Sequence, residues 1–117
     1  MITLKEGTAK WEHFGQIHPQ LGKVFYDFCK KLKSLGVNDI VITSIIRPKT
    51  KDSGVHECGR AIDIRADFQF GAGEKAMDYI NSVYKYDKDR NWLRTAIFHK
   101  TKAAGDYGDH FHLQVRG

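Results

Sequence analysis

The stretch His110-Phe111-His112-Leu113-Gln114-Val115 alternates without a break between polar and apolar side chains. Successive side chains of a β-strand point to opposite faces, so this is a strand with one face on a core and the other turned away. Phe111, Leu113 and Val115 take the inner face; His110, His112 and Gln114 take the other. Ala61-Ile62-Asp63-Ile64-Arg65 repeats the pattern, with Ile62 and Ile64 inward and Asp63 on the face of Ala61. A carboxylate between two isoleucines needs a charge partner there. If the two strands are neighbours, Asp63 and His112 meet on one sheet face. His56 lies just upstream and can fold back onto that face, with Gly54 and Gly59 letting the backbone turn on either side of it.

Two imidazoles and a carboxylate around one ion, with a fourth position left for water, make a catalytic zinc site. Ligand type alone admits other divalent ions. His56-Glu57 does not open a helical HExxH motif, because the residue four beyond His56 is Arg60 and Gly59 opposes a helix. Cys58 is read as a packing residue; zinc ligation and nucleophilic attack are its alternative roles.

The remainder reads as scaffold. Residues 1–17 form an irregular arm, with Trp11 and Phe14 covering core, and His13 and His18 are structural or surface residues. Pro19 suits the first turn of a helix. Leu21, Val24, Phe25, Phe28, Leu32 and Leu35 make its apolar face, and Gly36 ends it. Asp39 to Ile46 is β-branched and reads as a strand, with Arg47 at its exit and a loop over 48–54. A short strand runs from Gly59 or Arg60 to Arg65, and 68–73 is a turn. Glu74 to about Tyr86 is a second helix with Ala76, Met77, Ile80, Val83 and Tyr84 inside. Arg94 to Lys100 and His110 to Arg116 are the last strands, joined by a loop over 101–109. Paired strands with interposed helices predict an α+β fold: a small, mostly antiparallel sheet of about four strands with two helices.

The 117 residues suggest one domain spanning 1–117, able to form a core without disulfides. Cys29 and Cys58 are the only cysteines, and free thiols are the simpler reading. The net charge of +5 favours an anionic partner such as nucleic acid, a membrane surface or a cell wall. The lysines are scattered, which argues against a nucleic-acid partner. No secretory leader and no transmembrane segment is visible, so synthesis in the cytoplasm is expected.

At these residues the chain resembles the LAS metallopeptidases, which include D-Ala-D-Ala carboxypeptidases, phage L-alanyl-D-glutamate endolysins, lysostaphin and the hedgehog signalling domain. The pattern SxHxxGxAxD is met by Ser53 through Asp63, with one extra residue between Ser53 and His56. The closing HxH is met by His110-Phe111-His112, and Thr43 through Pro48 resembles the serine-to-arginine signature that precedes the motif. His18-Pro19-Gln20-Leu21 resembles the start of the first helix in the carboxypeptidase branch, so the similarity spans about residues 18–117.

The resemblance implies the hedgehog/D-Ala-D-Ala-peptidase-like fold and zinc held by His56, Asp63 and His112. It implies Arg47 as the group that holds a substrate carbonyl or carboxylate. Members differ in their base, which here is Asp109 or His110. His110 becomes the ligand in place of His112 if the strand shifts by two residues. The loop between Arg47 and His56 is short for the family, which leaves open the bond that is cut. The implied protein is a monomeric zinc peptidase of phage or prophage origin acting on peptidoglycan stem peptides. It would reach the wall after release from the cell, or as a virion component. The alternatives are a catalytically inactive, zinc-stabilised wall-binding or virion domain, and a small basic nucleic-acid-binding domain.

Overall fold

The apolar repeat beginning at Leu21 forms α1, Pro19–Ser34. In this computed structural model, residues 2–4, 9, 11–45, 59–66, 71–90, 92–99 and 109–116 are described. Pro19 opens the helix, where an N–H would have no intrahelical partner. His18 is the N-cap: its Nδ1 accepts from the Gln20 N–H at 3.1 Å. Leu21, Val24, Phe25, Phe28 and Leu32 are buried, and Gly36 follows the helix at φ 91°.

Five strands form one sheet: β1 Ile2–Leu4, β2 Ile40–Ser44, β3 Ala61–Arg65, β4 Ala96–His99 and β5 His110–Gln114. Their spatial order is β1-β2-β3-β5-β4. β1 lies parallel to β2, and every other pairing is antiparallel. The second helix, α2, is Ala72–Val83. The α+β class expected from the sequence forms, with five strands where about four were expected. The extra one is β1, within the arm expected to be irregular. Ile2 and Leu4 pack on the core from this edge position, opposite Ile40 and Ile42. The same arm contains a 3₁₀-helix, Trp11–Gly15, whose Phe14 ring lies 5.6 Å from that of Phe25.

The core lies between the helices and the sheet face that carries Ile42, Ile62, Ile64, Phe111 and Leu113. Phe28 of α1 meets Phe111 of β5 with ring centroids 5.8 Å apart. Removing each such fully buried side chain from water contributes roughly 2 kcal/mol. α2 begins earlier than the expected Glu74, because Ala72 and Gly73 are themselves buried. It ends at Val83, short of Tyr86. The Tyr84 backbone is extended, its hydroxyl donates to Asp27 of α1, and its carbonyl accepts from Thr95 Oγ1 at 3.3 Å. These contacts draw the chain off the helical path. The Asp27 hydrogen bond also pushes the Tyr84 phenol up to about 12. Val83, expected inside, is 52% exposed. Cys29 is a free thiol, and burial pushes it up to about 12, so it behaves as a packing group.

Asp87 closes the loop after α2 with ionic contacts. It accepts from the Asp89 N–H at 2.9 Å and from Arg90 Nε at 2.6 Å, and it lies 3.2 Å from Arg116 Nη1. The backbone bond from Asp89, then the bond from Arg90, hold its carboxyl below the usual carboxylate range. A depressed folded value means stability that is present above the unfolded carboxyl pKa of ~3.9 and lost as pH falls through the folded value. The urea midpoint is therefore expected to fall on acidification below about pH 4, and Asp87→Asn to flatten that limb. Identical acid limbs for the two proteins would contradict this.

Candidate functional site

The face of β3, β5 and β4 opposite the helices carries the candidate residues, and pairing register sets which of them meet. Asp63 pairs with His112, and His112 with Ile97. In the next row Arg65 pairs with His110, and His110 with His99. On the other side Ala61 pairs with Gln114. The isoleucines of β3 pair with the apolar residues of β5, Ile62 with Leu113 and Ile64 with Phe111. A slip by one residue would turn His112 into the core and Leu113 out of it, which is why this register holds.

Asp63 and His112 are 49 positions apart in the chain, yet Nδ1 of His112 lies 2.8 Å from Oδ1 of Asp63. His110 Nε2 lies 4.0 Å from Oδ2 of the same carboxylate. Asp63 is only 4% exposed and His112 only 8%. The buried carboxylate thus has polar ring nitrogens facing it, as burial of a polar group requires. Asp63 is nearer to His112 than to His110.

Asp109 precedes β5 and is exposed, and its carbonyl accepts from the Ala66 N–H at 3.0 Å. That bond holds Asp109 at the β3 end of the β3–β5 ladder, beside the His110 row. Ser44 adds a further polar atom. A register irregularity between Ile42 and Ser44 sets Ser44 opposite Asp63. Its hydroxyl oxygen is buried and has no hydrogen-bond partner among the described residues.

Arg47, His56 and Cys58 lie outside the described residues, as do the loops over 48–54 and 101–108. Among the described residues no group of three His, Cys, Asp or Glu is arranged to hold a metal ion. Asp63 and His112 are two of the three ligands expected from the sequence; His56 is the third.

His99 was not among the expected site residues. Its ring stacks on His110 at 5.1 Å and meets His112 edge-on at 5.6 Å. Alternation within Ala96–His99 puts it on the polar face, but only the β4–β5 register reveals that it lies beside His110. Gln114, assigned to the polar face without a role, lies with Oε1 3.1 Å from His112 Nε2.

Comparison of the chain with protein-family models, curated proteins and solved structures finds no match. Among the described residues no helix is long and apolar enough to cross a membrane.

Proposed function

We propose that this chain is a zinc-dependent peptidase that hydrolyses amide bonds in peptidoglycan stem peptides, of the D-Ala-D-Ala carboxypeptidase or endopeptidase type. The observation that carries this reading is the buried 2.8 Å approach of His112 Nδ1 to Asp63 Oδ1 across the β3–β5 register. An imidazole nitrogen and a carboxylate oxygen are zinc donors, and here they converge from positions 49 apart in the chain. With His56 as the third ligand, the donor set leaves a position open for water.

The chemistry supplied by zinc in such a site is Lewis acidity, which makes water a nucleophile near neutral pH and polarises a carbonyl. The protein's own groups perform the remaining work. Asp109 accepts the proton that water loses as its oxygen bonds to the carbonyl carbon, and returns it to the amine nitrogen as the C–N bond breaks. His110, in the adjacent row, hydrogen-bonds the charge that develops on the carbonyl oxygen. In the alternative division of labour His110 is the base. Arg47 clamps a substrate carboxylate or the oxyanion, a task suited to a planar guanidinium. The roles of Arg47 and His56 rest on the resemblance to LAS metallopeptidases. The net charge of +5 favours approach to an anionic wall. Phage or prophage origin, and delivery to the wall by lysis or on a virion, belong to the same proposal.

The test is incubation of zinc-supplied protein with purified peptidoglycan, measuring new amino groups and released peptides. Wild type is expected to release them, and His112→Ala to release none above background. Equal inertness of both proteins with zinc present would overturn the enzyme reading. Wall binding without cleavage would favour an inactive, zinc-stabilised domain.

A further inference from the structure

Ile40, Ile42 and Ile45 all belong to the core. The first two are separated by the two-residue step of a regular strand, the last two by a step of three. The extra residue is taken up between Ile42 and Ser44, where the β2–β3 register shifts. In an unbroken strand Ser44 would follow Ile42 into the core, and Ile45 would leave it. With the shift, Ser44 stands opposite Asp63, on the face that carries His112. Residues opposite each other in an antiparallel pair have Cβ atoms roughly 5 Å apart, within reach of a rotating hydroxyl. Ser44 is 5% exposed, and its hydroxyl oxygen has no hydrogen-bond partner among the described residues. Such an atom is uncommon, because burial strips it of water without replacing the hydrogen bond. Packing alone would favour alanine at this position.

We propose that Ser44 is a positioning residue for Asp63, its hydroxyl donating to the Asp63 carboxylate when that carboxylate holds a divalent cation. The inference rests on the reading of Asp63 and His112 as ligands. In this structure Oδ1 of Asp63 is turned to His112 Nδ1, 2.8 Å away. A carboxylate has two oxygens, so an ion on one leaves the other to accept. Carboxylates that ligate metals are themselves hydrogen-bonded, and those outer partners fix their orientation. Ser44 suits the task on three counts. Its hydroxyl is a donor, and an ionised carboxylate only accepts. It carries no charge to compete with the cation. Its backbone is paired with that of Asp63, so the two side chains keep a fixed separation. The register shift between Ile42 and Ser44 is then the device that delivers the hydroxyl to the site while Ile45 keeps the core filled.

The experiment compares wild type with Ser44→Ala, which removes only the hydroxyl. Urea denaturation after chelation is expected to show a midpoint higher in Ser44→Ala by roughly 0.5 M, because an unpaired buried hydroxyl has been deleted. Calorimetric titration of the same metal-free proteins with zinc is expected to show affinity about 10–100-fold weaker in Ser44→Ala, the usual cost of losing an outer-shell partner. A serine kept only for structure would move the first readout downward and leave the second alone. The proposal is overturned by a lower midpoint in Ser44→Ala, or by zinc affinity equal to that of wild type. Wild type that binds no zinc would remove the peptidase reading and this role together. Zinc bound equally by both proteins would remove the role of Ser44 and leave the peptidase reading standing.

Discussion

Asp63→Ala is expected to remove bound zinc and with it all measurable peptidoglycan hydrolysis. Loss of an outer-shell partner alone costs 10–100-fold in metal affinity, so loss of a direct ligand should cost more than about 100-fold. Excess zinc at ~100 times Kd stabilises a protein that binds it only when folded by about 2.7 kcal/mol. Wild type should show a shift of that order in its urea midpoint, and Asp63→Ala close to none. The metal-free proteins should compare differently. Asp63 Oδ1 lies 2.8 Å from His112 Nδ1 in a buried pair, and removing one partner of such a pair destabilises. Metal-free Asp63→Ala should therefore be less stable than metal-free wild type. The zinc-dependent shift, measured within each protein, separates a ligand from a carboxylate kept for structure. Stoichiometric zinc in Asp63→Ala, measured by elemental analysis after dialysis, would remove Asp63 from the site.

Gly59→Ala is expected to be the most destabilising single-methyl change at the entry to β3. The Gly59 backbone has φ +69°, a conformation that L residues adopt only with strain. A Cβ there would fall 2.4 Å from the Gln16 carbonyl oxygen and 3.2 Å from Ile17 Cα. Both neighbours are backbone, so no side chain can rotate away. The Gly59 carbonyl also accepts from the His18 N–H at 2.8 Å, which ties β3 to the start of α1. Strain, overlap and a disturbed hydrogen bond together should cost about 3–5 kcal/mol, a large share of an ordinary domain's stability. Urea denaturation measures it, and a loss below about 0.5 kcal/mol would show that this junction is not tight. Gly59 lies four residues before Asp63, so a milder outcome should still weaken zinc binding.

Much of the framework was legible in residue order. The three- and four-residue steps from Leu21 to Leu32 mark the buried face of α1, and Pro19 marks its start. Strict alternation marks β3 and β5 and puts Asp63 and His112 on the face opposite Ile62 and Leu113. The end of α2 was not legible, because the contacts that extend Tyr84 come from Asp27 and Thr95, on other elements. β1 was not legible either. Three residues carry too little periodicity to mark a strand, and Ile2–Leu4 becomes one only by lying along β2.

The candidate site divides along the same line. A period of two is a property of the chain alone, and it says toward which face a side chain projects. It says nothing of which strand lies alongside, since any alternating strand can pair with any other until the cores are matched. The pairing of Asp63 with His112 and the nearness of His99 to His110 arise from neighbours on other strands. Burying Ile62 and Ile64 against Leu113 and Phe111 selects one register, and that register brings the carboxylate to the imidazole.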